Sequence, residues 1–153
     1  MKRNKLFRKT TFLLGVILFS SIVAIAQEGK KVIAVINRAD WCPVCQQNGE
    51  RVMKEVMPVF NQSNVQFIMK DLTNDATKEK SKMMLKEMKV YDAVKKTSAT
   101  GLILLVDEAS GKMTGKISVA EPTDKLIEAI KHSSMTEKEM MMKKEKMMEK
   151  GKM

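Results

Sequence analysis

The 153-residue chain holds only two cysteines, one histidine, three prolines and one tryptophan. Each scarcity removes a class of function. Two thiols and His132 fall short of the four protein ligands that a structural zinc site takes, so no metal site is assigned to the dithiol. Gln46, where a histidine would be needed, follows Cys45, which excludes c-type haem attachment. Arginine is nearly absent after residue 26, where only Arg38 and Arg51 remain, and no aromatic residues interleave with basic ones. The formal charge of +10 therefore carries no argument for nucleic acid. Five of the positives are Lys2, Arg3, Lys5, Arg8 and Lys9; without them the chain stands at +5. The uncharged run from Thr10 to Gln27 is marginal for a membrane span, which needs roughly 20 apolar residues. No cysteine closes that run, so the lipid-anchored export route is not indicated.

A basic start, a short apolar stretch (Phe12 to Phe19) and the small-x-small ending Ala24-Ile25-Ala26 make residues 1–26 a secretory signal peptide. Cleavage is expected before Gln27, and an uncleaved membrane anchor is the competing reading. The mature chain is then periplasmic or secreted. It divides into a domain over 27–134 and a tail over 135–153. In an oxidising compartment a disulfide persists, so the two cysteines are expected to rest oxidised unless something reduces them.

Cys42 and Cys45 sit as Trp41-Cys42-Pro43-Val44-Cys45. Two thiols at this spacing can close on each other when both lie on a helix's first turn. Pro43 suits a first helical position, because it has no amide hydrogen to leave unpaired. Unpaired amide donors at a helix start favour an anion, so the Cys42 thiolate is expected to be the more acidic and more accessible thiol. Around the motif, Lys31–Asn37 reads as an apolar strand and Pro43 to about Phe60 as a helix that Pro58 kinks or shortens. Val65–Lys70 is a second strand, followed by a polar turn and one or two helical pieces reaching about Val94. Leu102–Asp107, the turn Glu108–Gly111 and Lys112–Val119 form a hairpin, and Pro122–His132 is a last helix. The order implies a small mixed sheet covered by helices on both faces.

These residues resemble the thioredoxin-like superfamily, over about two thirds of the chain. Ala39-Asp40-Trp41-Cys42-Pro43-Val44-Cys45 is similar to that family's active-site segment, and the element order matches its minimal α/β fold with a four-stranded mixed sheet. The resemblance implies that Cys42 attacks, that Cys45 resolves, and that Trp41 shapes the surface where a partner's cysteine docks. It implies no bound cofactor. The partners it implies are protein thiols or disulfides in the exported compartment, with a membrane redox partner among the candidates. Two departures stand out. The family's cis-proline loop before the third strand reads Thr97-Ser98-Ala99-Thr100-Gly101 here, with Thr100 expected in the proline's place. The family's buried acid, six residues before the first cysteine, is Ile36, so no acid there can take the resolving thiol's proton.

Other readings compete. A structural disulfide is disfavoured, because so short a ring adds little chain-entropy stabilisation. A non-catalytic binding module fits the missing proline and acid. His132, at the end of the last helix, suits a cap on the helix dipole. The tail holds seven of the chain's fifteen methionines among charged residues, one threonine and one glycine. Thioethers are soft ligands, so a copper-binding or copper-handling protein using Cys42, Cys45 and this tail, with Cu(I) at the tail, is the alternative function, against a solvated helix with incidental methionines or an oxidant-scavenging surface.

Overall fold

The computed structural model describes residues 31–150, so the candidate signal peptide lies outside the described residues. Four strands form one sheet: β1 (Val32–Arg38), β2 (Val65–Asp71), β3 (Leu102–Asp107) and β4 (Met113–Ser118). Their spatial order is β2-β1-β3-β4. β1 runs parallel to β2 and antiparallel to β3, and β4 closes the sheet as an antiparallel edge. The central strands β1 and β3 are apolar on both sides because both faces are covered. Val32, Ala34, Ile36, Ile103 and Leu105 face one layer, while Ile33, Val35, Leu104 and Val106 face the other. This is the four-stranded mixed sheet, covered by helices on both faces, that the sequence leads one to expect.

The first layer holds α1 (Pro43–Arg51) with its continuation, and α4 (Thr123–Ser134); the second holds α2 (Asp75–Glu87) and α3 (Tyr91–Val94). Pro58 acts here without kinking the chain sharply. It has no N–H to give the carbonyl of Lys54, so the helix loosens into a π turn over Val52–Val56 and then tightens into a 3-10 turn over Met57–Phe60. Val52, Val56 and Phe60 stay buried through this change of pitch. Arg51 ties the layer together. Its guanidinium donates to the carbonyls of Val119 and Glu121 at 2.6 and 2.8 Å and to the hydroxyl of Thr123 at 2.9 Å, locking α1 to the start of α4.

α2 starts with a reciprocal cap: Asn74 accepts from the Thr77 N–H, and the Thr77 hydroxyl accepts from the Asn74 N–H. The tail begins the same way. Glu139 accepts from the N–H and hydroxyl of Thr136, and the Glu139 N–H donates back to Thr136. Those bonds from Thr136 hold the Glu139 carboxyl below the usual range. The tail is therefore a defined helix, α5 (Glu137–Lys150), joined to α4 by Met135 and Thr136 alone. Among the described residues, no helix is long and apolar enough to cross a membrane.

Candidate active site

β1 delivers the chain to the site, and α1 leaves from it. Cys42 is the N-cap residue of α1, in extended backbone conformation, with Pro43 behind it as the first helical residue. Its Sγ accepts the Cys45 N–H at 3.2 Å. Cys42 and Cys45 are joined as a disulfide, with Cα atoms 5.2 Å apart. The two sulfurs meet opposite surroundings. Cys42 Sγ faces an amide donor, which favours a thiolate, whereas Cys45 Sγ lies 4.0 Å from the carbonyl oxygen of Asn37, which favours a protonated thiol. The asymmetry follows from the helix start and from the end of β1.

Accessibility differs from expectation. Cys42 is 4% exposed, while Cys45 is half-buried and lines a cleft of about 270 Å³. The cover over Cys42 comes from across the site. A Cβ on Gly101 would stand 3.1 Å from Val44 Cγ1 and 3.8 Å from Cys42 Sγ, so glycine at 101 lets the β3 loop close over the first cysteine. Gly101 has φ +74°, in the left-handed region, and no cis peptide bond is present among the described residues. Thr100 lies one position before Gly101. It is half-buried and makes no hydrogen bond to any described residue.

A buried polar pair secures this loop without a rigid proline, and sequence reading missed it. Asn37 and Lys70 are register partners on β1 and β2, under the second helical layer. Asn37 Nδ2 donates to the carbonyls of Thr97 and Ala99 at 3.1 and 3.0 Å. Lys70 Nζ donates to those of Val94 and Thr97 at 2.9 and 2.7 Å. The Asn37 carbonyl then accepts the Gly101 N–H at 2.8 Å. Burial pushes the Lys70 ammonium's pKa down. On the opposite face the register partners are Ile36 and Met69, so the position six residues before Cys42 is apolar, as the sequence indicates.

Trp41 is 61% exposed, yet its position is fixed. Its indole N–H donates to the Thr73 carbonyl at 3.1 Å, and the neighbouring Asp40 N–H donates to the Thr73 hydroxyl at 3.0 Å. Thr73 is held in turn by Asp71, which accepts its N–H. Burial works against the Asp71 carboxylate, but the Thr73 hydroxyl and backbone bonds and the Arg38 charge outweigh it and hold the pKa low. Trp41 and Val44, which flank Cys42 in the motif, and Met53, which lines the cleft with Cys45, are all exposed apolar side chains. No group of three or more His, Cys, Asp and Glu that could hold a metal occurs among the described residues.

No protein-family model and no curated protein matches this chain. Among solved structures, the chain is similar to Trxlp from Edwardsiella tarda EIB202 at 19% identity, covering 68% of this chain and 85% of that one, with a TM-score of 0.43. It is also similar to thioredoxin from Aeropyrum pernix at 15% identity, covering 69% and 75%, with a TM-score of 0.43.

Proposed function

We propose that the chain is an exported thiol–disulfide oxidoreductase that exchanges disulfides with protein partners through Cys42 and Cys45. The observation that carries this reading is the opposed environment of the two sulfurs, an amide donor on one and a carbonyl acceptor on the other. A permanent staple has no use for that difference; an exchanging pair needs it. In the reducing direction, the Cys42 thiolate attacks a partner's disulfide and one partner sulfur leaves as thiolate. Cys45 then loses its proton to water and attacks the Cys42 sulfur. The second partner thiolate departs, and two electrons have passed to the partner. The oxidising direction is the same path reversed, with a partner's thiolate attacking the resting disulfide. The exposed Trp41 gives the partner an apolar seat, and the backbone of Thr100, which bonds to no described residue, gives its chain a hydrogen-bonding edge. The basic, apolar leader supports export, where the electron donor is a thiol protein or a membrane redox partner.

The test is Cys45→Ser in the native compartment. Cys42 can then attack but cannot be released, so mixed disulfides with exported proteins accumulate and vanish on adding a reductant. Absence of Cys42-linked adducts, with the variant folded, refutes exchange and leaves a binding module.

A further inference from the structure

The tail was set apart in sequence, but the structure brings it against the domain's last helix. Glu128 and His132 stand four residues apart on α4, and Met140, Lys143, Lys144 and Met147 recur at helical spacing on α5. A cleft of about 460 Å³ lies between them, lined by Glu128, His132, Met135, Met140, Met147 and Met148 with the two lysines. The chain's single imidazole thus shares one cleft with four thioethers. We propose that His132, Met135, Met140, Met147 and Met148 form a binding site for a soft monovalent cation, Cu(I).

Two observations weigh against ordinary packing. Methionines at helical spacing usually fill a core, yet Met147 and Met148 are 66% and 58% exposed. Their sulfurs are not spent on burial. The cleft also contains no branched aliphatic or aromatic anchor of the kind that docks a helix. Soft thioethers with one imidazole suit a d¹⁰ monovalent ion and suit Zn²⁺ or Mg²⁺ poorly, since those take thiolate, several imidazoles or carboxylate oxygens. Glu128 supplies a negative charge beside the donors. Lys143 and Lys144 are exposed, so their long stems can carry the ammonium groups into solvent when a cation enters. Thioethers need no deprotonation and stay available where thiols oxidise, as Cys42 and Cys45 do on closing their disulfide.

The site is separate from the dithiol. The last turn of α4 lies against Gly115 of β4, where Ser133 Oγ would be 3.8 Å from an added Cβ. The other end of the helix faces Arg51 and α1. Its test therefore does not depend on the exchange chemistry. The full chain carrying Cys42→Ser and Cys45→Ser is titrated with Cu(I) against a chromophoric chelator, without oxygen. One equivalent is expected to be withdrawn from the chelator. His132→Gln with Met140→Leu and Met147→Leu should weaken the affinity at least tenfold, while Met83→Leu with Met84→Leu on α2 should not change it. Because a folding defect could mimic that loss, Ag(I) is added to the unmutated tail and the methionine methyl resonances are followed. Shifts confined to Met135, Met140, Met147 and Met148 support the site. No competition for Cu(I), equal affinity in the His132/Met140/Met147 variant, or shifts spread over Met83, Met84 and Met113 overturn it.

Discussion

Gly101→Ala is the sharpest probe of the site, because one methyl group tests both the loop and the dithiol. At φ +74° an L-residue carries about 1–2 kcal/mol of left-handed strain. The new Cβ would stand 3.1 Å from Val44 Cγ1 and 3.4 Å from Val44 Cβ. Val44 is 37% exposed on the first turn of α1, so it can yield, at about 0.5–1.5 kcal/mol for an off-rotamer side chain. Alanine also restricts the unfolded chain, returning about 0.4–1 kcal/mol. The net loss is about 0.5–3 kcal/mol. Urea unfolding at constant m-value measures it. Adding Val44→Ala should recover the contact part and leave the backbone part, giving a coupling of about 0.5–1.5 kcal/mol in a double-mutant cycle. The methyl also lies beside Cys42 Sγ, so exchange with a peptide disulfide should slow. A Gly101→Ala protein as stable as the parent, or one whose loss is unchanged by Val44→Ala, would refute the close approach of this loop to the dithiol.

Asn37→Ala removes the hydrogen bonds to the Thr97 and Ala99 carbonyls and, at about 0.5–1.5 kcal/mol for each, should cost about 1–3 kcal/mol in denaturant unfolding. It should also lower kcat/KM for a peptide disulfide more than for a small-molecule disulfide, which does not need the loop. Asp71→Asn reports the pH dependence. The folded-state pKa of Asp71 lies below its ordinary 3.8, so its stabilisation is fully present above that value and fades as pH falls through the depressed one. The stability gap between parent and variant should therefore be widest near neutral pH and close in strong acid; a gap that widens on acidification would contradict the assigned partners.

The strands were legible because two covered faces demand unbroken apolar runs, as in Val32–Ile36 and Leu102–Val106. The dithiol was legible because Pro43 and the cysteine spacing are local. What escaped is non-local. Asn37 and Lys70 end apolar strands as ordinary polar residues would, and only the pairing of β1 with β2 sets them side by side under a loop near residue 97. Nothing local marks Arg51 as a tie between α1 and α4, since its partners lie some 70 positions away. The role of Gly101 depends on what crosses it. The reading of Cys42 as the more accessible thiol failed for the same reason: the cover belongs to another segment. The tail's start, by contrast, was written locally as Thr136-x-x-Glu139, a capping box that should have announced α5.

Cys42 is at once a helix cap and half of a redox couple, and that double duty closes a thermodynamic cycle. The folding free energies of the oxidised and reduced chains, and the reduction potentials of the folded and unfolded pair, are four sides of one square. The disulfide spans three positions in sequence, so cross-linking the unfolded chain contributes only about 2 kcal/mol to the difference, in favour of the oxidised chain. What remains is mainly the extra value of a thiolate, over a disulfide sulfur, as acceptor of the Cys45 N–H. Each 1.4 kcal/mol by which the reduced chain outlasts the oxidised one corresponds to about 30 mV of displacement toward an oxidising couple. Two urea melts, one with and one without a reductant, thus act as a voltmeter for this protein.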